Sequence, residues 1–301
     1  MKKALALGIM GSFFFAFTFI LNRSMNLSGG HWLWSAALRY LFSFPILFVL
    51  LIRGHEYRPV FTDIKRKPMQ WILWSTVGFG LFYTMLSAAS VYAESWFTAS
   101  AWQVTIVAGV LLTPLFRMKI PVKNLLFSSI ILIGIFIMQV PKMQQSRWEK
   151  LVLPFLIILI AAFAYPLGNR KMMEVCENKL SVIQRIFGMT LCSMPFWILV
   201  TVAAYLRVGF PSEGQIIQSV GVALFSGVIA TVLFFRATEL VKGDPNQLAV
   251  IEATQSGEVI FTLILGVLLL NDSMPDAISF VGILFVIGGM VLNSLVSVRE
   301  R

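Results

Sequence analysis

The sequence predicts an all-α polytopic membrane protein with ten transmembrane helices arranged as two inverted five-helix repeats. Three observations point there. Of 301 residues, 58 % are hydrophobic and 13 % charged, with mean hydropathy +0.83, whereas a water-soluble domain carries about twice that charged fraction. Ten stretches approach the ~20 apolar residues that cross a ~30 Å hydrocarbon core at 1.5 Å per residue. Short motifs of the first half also recur, in order, in the second.

In chain order the expected spans cover about residues 4–21, 31–52, 70–93, 96–116, 122–140, 151–168, 182–205, 215–235, 246–270 and 275–297. Lys2 and Lys3 followed by an apolar run imitate a secretory leader. With no small-residue cleavage pattern ahead of Asn22-Arg23, the run reads instead as the first span. Pro45, Pro114, Pro154, Pro166 and Pro195 fall inside or near the ends of spans, where kinks are expected. Two cysteines, Cys176 and Cys192, and two histidines, His31 and His55, are too few and too scattered for a disulfide framework or a zinc site. No metal or cofactor is expected, and both thiols read as apolar filler.

A net charge of +10 would suggest nucleic acid in a soluble protein, but its placement has a simpler cause. With both termini in the cytoplasm, eighteen Lys/Arg fall inside, among them Lys65, Arg66, Lys67, Arg170 and Arg185. Five fall outside (Arg23, Lys142, Arg147, Lys150 and Arg207), and Arg39 is left within a span. This is the positive-inside bias of a multi-pass protein of the cell (inner or plasma) membrane, and it needs no nucleic-acid partner.

Comparing the halves suggests a first repeat at 1–145 and a second at 146–301. Asn22-Arg23 recurs as Asn169-Arg170, Ser35 and Arg39 as Ser181 and Arg185, and Leu81-Phe82 as Leu233-Phe234. Ala101 and Gln103 match Ala253 and Gln255, while Pro121 and Gly134 match Pro275 and Gly288. An odd number of spans per repeat turns the copies to face opposite ways, and such symmetry suits alternating access to a central site.

Ionisable side chains at membrane depth are expensive and mark candidate sites. In the ninth span, counted from Pro245 at 1.5 Å per residue, Glu252 lies ~10 Å and Glu258 ~20 Å deep. With Gln255 between them, the three form a polar stripe over about 120° of the helix. Either carboxylate can bind a proton or a cationic cargo, or instead bridge helices through Arg39 or a hydroxyl. Arg39, ~12 Å from His31, can pair with a cavity carboxylate or grip an anionic group with its fixed fork of donors. Trp96, Ser100 and Gln103, spaced i, i+4, i+7 in the fourth span, share one face opposite the ninth, with Ser100 in the place of Glu252. Trp102, Phe17, Phe82 and Tyr83 can supply aromatic surface, although most of the chain's aromatics must pack or face lipid.

Ten short helices in two sets of five, an arginine in the second, and the run Gln247–Glu258 (QLAVIEATQSGE) resemble the drug/metabolite transporter superfamily over the whole chain. The resemblance is to its bacterial multidrug-resistance efflux branch, related to the EamA-type domains. It implies proton-coupled or facilitative export of drugs, amino acids or other metabolites through a cavity between spans one, three, four, six, eight and nine. Many EamA-type proteins close the ninth span with Gly-Glu; here Leu270-Asn271-Asp272 stands in that place.

The expected function is therefore secondary-active export of small, cationic or zwitterionic organic molecules, coupled to protons at Glu258 and Glu252. The alternative is a facilitative amino-acid or metabolite carrier without proton coupling. The expected partners are a small-molecule substrate, protons and the lipid bilayer, with a monomer and a homodimer equally open. An enzyme is not expected: the two histidines fall on opposite sides, and the sequence has no paired-Asp motif or phosphate-cradling loop. A sensor or assembly factor lacks a loop or tail long enough for a signalling domain.

Overall fold

A computed structural model describes residues 1–52, 55–117, 119–120, 122–145, 149–177, 179–241 and 245–299. The repeat boundary after residue 145, and Arg53, Pro121, Arg147, Lys242 and Arg301, border on or lie outside them. The described residues form helices joined by short turns and loops, without strands. We number the helices α1 (Lys2–Leu27), α2 (Trp32–Ile52), α3 (Arg58–Arg66), α4 (Pro68–Ala89), α5 (Ser95–Leu111) and α6 (Val122–Gln145). These are followed by α7 (Glu149–Val175), α8 (Val182–Cys192 and Met194–Val208), α9 (Glu213–Glu239), α10 (Pro245–Ala253 and Gly257–Leu270) and α11 (Ala277–Arg299).

By length and apolar composition, seven of these helices qualify as spans among the described residues, and the bent pair of α8 makes an eighth. The expected fourth span falls short at Ser95–Leu111, whereas the expected fifth lies in α6, a helix of 24 residues. At 1.5 Å per residue, 17 residues reach ~26 Å, less than a ~30 Å core. The short α3 is an additional amphipathic segment.

Local sequence explains the punctuation. Gly29, at φ +80°, ends α1 in a conformation that side chains resist. Ser181 and Gln184 close a capping box at the start of α8, and the Ser212 hydroxyl caps α9 by accepting from the Gln215 N–H. Pro45, Pro154 and Pro166 are accommodated inside helices, Pro114 sits in a 3-10 turn, and α8 bends by 48° just before Pro195. Both α4 and α9 loosen into π-helix midway, at Thr76–Leu81 and Ala223–Ala230. Likewise α5 breaks at Gln103 and α10 passes through a 3-10 turn at Thr254–Ser256, which contains Gln255.

Glycines allow the closest helix contacts. A Cβ on Gly168 of α7 would lie 2.3 Å from the Gly78 Cα of α4. A Cβ on Gly134 of α6 would lie 2.6 Å from the Gly282 carbonyl oxygen of α11, and the reverse holds equally. The α6–α11 pair has the most extensive helix packing in the molecule.

The connections gather at two ends. At one end, Lys67 reaches the Val175 carbonyl and Glu177, Gln184 donates to the Glu56 carbonyl, and Ala4 packs with Ala237, Val241 and Ile251. At the other, Arg23 and Asn26 donate to the Ser90 carbonyl, Trp34 to that of Gly209 and Gln215 to that of His31. We call these the N-terminal and distal ends.

Candidate substrate cavity

A cavity of about 400 Å³ occupies the middle of the helical body, within the range of small-molecule sites. Its walls come from α1, α2, α4, α5, α7, α8, α9 and α10. That set contains the six spans implied by the resemblance and adds the second and seventh. The cavity extends toward the N-terminal end, where Asn169, Val182, Arg185 and Phe235 line it.

Two kinds of charge face this space. Glu258, in the first turn of Gly257–Leu270, is half-buried and accepts a long hydrogen bond of 3.5 Å from Gln103 Nε2. Gln103 also donates to the Ala99 carbonyl at 3.1 Å, which pins the amide beside the break in α5. Gln255 lines the same wall. Arg39, also in the lining, donates Nη1 to Thr18 Oγ1 at 3.2 Å and Nη2 to Ser226 Oγ at 3.3 Å. Those two hydroxyls are hydrogen-bonded to each other. The guanidinium carbon also sits 4.2 Å from the Tyr83 ring centroid and 5.8 Å from that of Tyr40. Among the described residues no carboxylate forms an ion pair with Arg39 or Arg185.

Aromatic rings form an apolar wall. Phe82 packs against Tyr165 at 4.8 Å and Trp102 at 5.1 Å between centroids, and Tyr40 stacks on Trp197 at 4.5 Å. Phe17, expected to join this surface, packs with Phe13, Phe14 and Phe225 instead.

The structure thus brings together Glu258, Gln255, Gln103 and Arg39 of the expected residues. Tyr83 is fully buried behind Arg39, its hydroxyl accepting from Asn22 Nδ2 at 3.0 Å. Trp96 and Ser100 are buried away from the cavity: the indole N–H donates to the Ser273 carbonyl at 3.0 Å, and the Ser100 hydroxyl to the Trp96 carbonyl at 2.8 Å. Glu252 is half-buried and is not among the lining residues. The reason is depth: Glu252 lies six residues, ~9 Å of helix, before Glu258 and follows Ile251, which packs with Ala4, Ala237 and Val241 at the N-terminal end.

Several residues were less legible. Arg185, counted from sequence among the cytoplasmic charges at the start of the expected seventh span, lies inside α8 and lines the cavity; its match to Arg39 was the signal. Thr18 and Ser226 carry no pattern of their own. Asp272 is buried at the distal end, where it accepts from the Ser95 N–H at 2.9 Å and from the Ser95 hydroxyl, and lies 3.8 Å from Arg23 Nε. The sequence marks this acid only as a departure from the Gly-Glu ending.

Comparison with known proteins now defines the class. Residues 2–299 match the family model EmrE, described as "Putative multidrug resistance efflux transporter". The chain belongs to this family of membrane transporters within the drug/metabolite superfamily, and is accordingly a multi-pass membrane protein acting on small molecules. It is 46 % identical over 308 residues to "Uncharacterized protein YjlA" of Bacillus subtilis (strain 168), covering 98 % of this chain and 95 % of that protein. It is 41 % identical over 266 residues to the "Uncharacterized 42.1 kDa protein in intracellular alkaline protease 3'region" of Shouchella clausii, covering 85 % of this chain and 70 % of that one. A solved structure described as "Crystal structure of protein" shares the fold at TM-score 0.65 and 10 % identity, covering 100 % of this chain and 99 % of that one.

Proposed function

We propose that the chain is a secondary-active exporter of small organic molecules, driven by protons that exchange with cargo at Glu258. The observation that carries this reading is Glu258 itself, an acid deep in α10 that faces the cavity with a single amide as its hydrogen-bond partner among the described residues. A carboxylate in that setting can hold a proton or a cationic group, but not both at once. Gln103 and Gln255 serve as neutral cargo contacts beside it.

The transport cycle follows from two inverted units, 1–145 and 146–301, which enclose the cavity in ten passes, with α5 as a short one. Paired features at matching positions support the repeat: the π segments of α4 and α9, the breaks at Gln103 and Gln255, the cavity arginines 39 and 185, and the left-handed residues Arg117 and Asn271. The N-terminal end carries Arg58, Lys65, Arg66, Lys67 and Lys179, which favours a cytoplasmic placement in the plasma membrane. The cavity is complete within one chain, so a monomer suffices.

Flux in proteoliposomes under an imposed pH gradient tests this. Glu258→Gln should abolish gradient-driven transport while leaving a folded protein. Full flux that remains pH-dependent would remove Glu258 from the mechanism. Gradient-independent flux in the parent protein, with only affinity altered in Glu258→Gln, would identify a facilitative carrier instead.

A further inference from the structure

Helix α3 lines no part of the cavity, and its sequence sets it apart from the spans around it. Its nine residues, Arg58–Arg66, carry three cations and one acid. One face is packed: Val60 is fully buried, and a Cβ on Gly188 of α8 would lie 2.8 Å from Val60 Cγ1. Asp63, half-buried, accepts from the Trp71 indole N–H at 3.0 Å. The opposite face consists of Arg58, Phe61, Thr62 and Lys65, spaced i, i+3, i+4, i+7, and all four are exposed. Arg66 lies 3.5 Å from Glu177, but neither Arg58 nor Lys65 forms an ion pair among the described residues.

The flanking helices fix the level at which this face lies. Val49, Leu50 and Ile52 at the end of α2, and Met69, Ile72 and Leu73 at the start of α4, are exposed apolar side chains. In a membrane protein such surface meets acyl chains. Helix α3 therefore joins two lipid-facing helix ends, which puts its exposed face at the boundary between hydrocarbon and headgroups. A cation at each end of that face, with an aromatic ring between, suits an amphipathic helix lying in the interface.

We infer that α3 binds anionic phospholipids of the leaflet at the N-terminal end, with Arg58 and Lys65 on the headgroup phosphates and Phe61 at the acyl boundary. The inference rests on the membrane placement of the chain and is independent of its cargo and coupling. Arg58 meets phosphate with a planar fork of donors and Lys65 with a point charge, ~10 Å apart along the helix. A soluble anion would gain from these charges alone, whereas Phe61 and Met69 beside them gain only when acyl chains are attached. The seat is also tied to α8, because Phe61 meets the Phe187 ring edge-on and Val60 underlies Gly188, two and three residues beyond Arg185 of the cavity wall. Headgroup binding should therefore stabilise the folded protein.

Thermal unfolding in neutral detergent micelles reads this, since a ligand of the folded state raises the midpoint. Phosphatidylglycerol and phosphatidylcholine, each doped into the micelles, are compared with inorganic phosphate. Phosphatidylglycerol should give the largest shift, and about 1 M salt, which shortens the screening length to about 3 Å, should remove its advantage. Arg58→Gln with Lys65→Gln should raise the phosphatidylglycerol requirement about tenfold and leave the phosphatidylcholine response unchanged. Lys2→Gln with Lys3→Gln, which removes the same charge at the same end, should keep the parent response. A bimane label on Thr62→Cys adds a second measurement, as Cys176 and Cys192 are buried: brominated acyl chains should quench it, more strongly on phosphatidylglycerol than on phosphatidylcholine.

Equal shifts from the two lipids, inorganic phosphate matching phosphatidylglycerol, or a label that no lipid quenches would overturn the inference. So would an unchanged response in the Arg58 and Lys65 variant, or an equal loss in the Lys2 and Lys3 variant, which would mean diffuse charge rather than a seat on α3. None of these substitutions touches the cavity wall, so gradient-driven flux tests the transport reading separately.

Discussion

Single residues set the tolerances of this molecule. Gly168 has no room for even one methyl group, because its Cβ would fall 2.3 Å from the Gly78 Cα and 2.9 Å from the Trp74 carbonyl oxygen. Gly168→Ala should therefore destabilise the protein by about 1–3 kcal/mol, typical of overpacking, read as a lowered thermal midpoint in detergent. At the N-terminal end, Glu177 is held at about 2, well below the ordinary carboxylate value of 4.5, first by hydrogen bonds from Lys179 and Lys67 and then by their charges. A depressed carboxylate contributes its stability fully above the unfolded value and loses it as pH falls through the folded one. The link from Lys67 to Glu177 should thus persist at neutral pH and release between about 4.5 and 2, a transition that a carboxyl-carbon NMR titration would follow and Glu177→Gln would erase. The site was partly legible at this scale: Glu258 and Arg39 declare themselves by charge at depth, since water-loving groups there need a reason. Thr18 and Ser226 did not, because hydroxyls are common in apolar helices and only the fold brings these two together.

Elements gave a mixed result. Helix positions followed from apolar run length, and the amphipathic α3 was the additional piece. Interruptions were harder to read, because the π turns of α4 and α9 and the 3-10 turn of α10 carry no proline. Gln255, in the 3-10 turn of α10, and Glu258, just after it, line the cavity, while Glu252, nearer the N-terminal end, does not. At the α6–α11 seam, a Cβ on Gly282 would lie 2.6 Å from both the Gly134 carbonyl oxygen and Met138 Cγ. Gly282→Leu should force the two helices apart, as small residues permit close backbone approach in membranes. Lower yield and a reduced thermal midpoint are expected, with ligand selectivity in the surviving protein unchanged; altered selectivity would contradict this assignment.

At the scale of the molecule, the distal end is shut by groups from both halves. Asp272 draws the start of α5 and the end of α1 together through Ser95 and Arg23, while Trp96 and Glu94 engage Ser273. Among the described residues, Arg170, which the proposed repeat pairs with Arg23, meets only the Gly109 carbonyl and the Phe116 ring, with no acid. The two ends are therefore chemically unequal, and the resting state should favour distal closure. Removing the acid with Asp272→Asn should raise the distal-open fraction about tenfold or more. The readout is labelling of Ala93→Cys, buried in this closed layer, by a membrane-impermeant maleimide. Cys176 stays silent because it sits at the opposite end and burial pushes its thiol up to about 11. Unchanged labelling would mean that this cluster is not what keeps the end closed. The glycine seam described above has a consequence for how such a carrier can diversify. Since α6 and α11 supply none of the described residues of the cavity wall, the pair that braces the molecule is segregated from the surface that chooses its passenger, and each can change over generations without compromising the other.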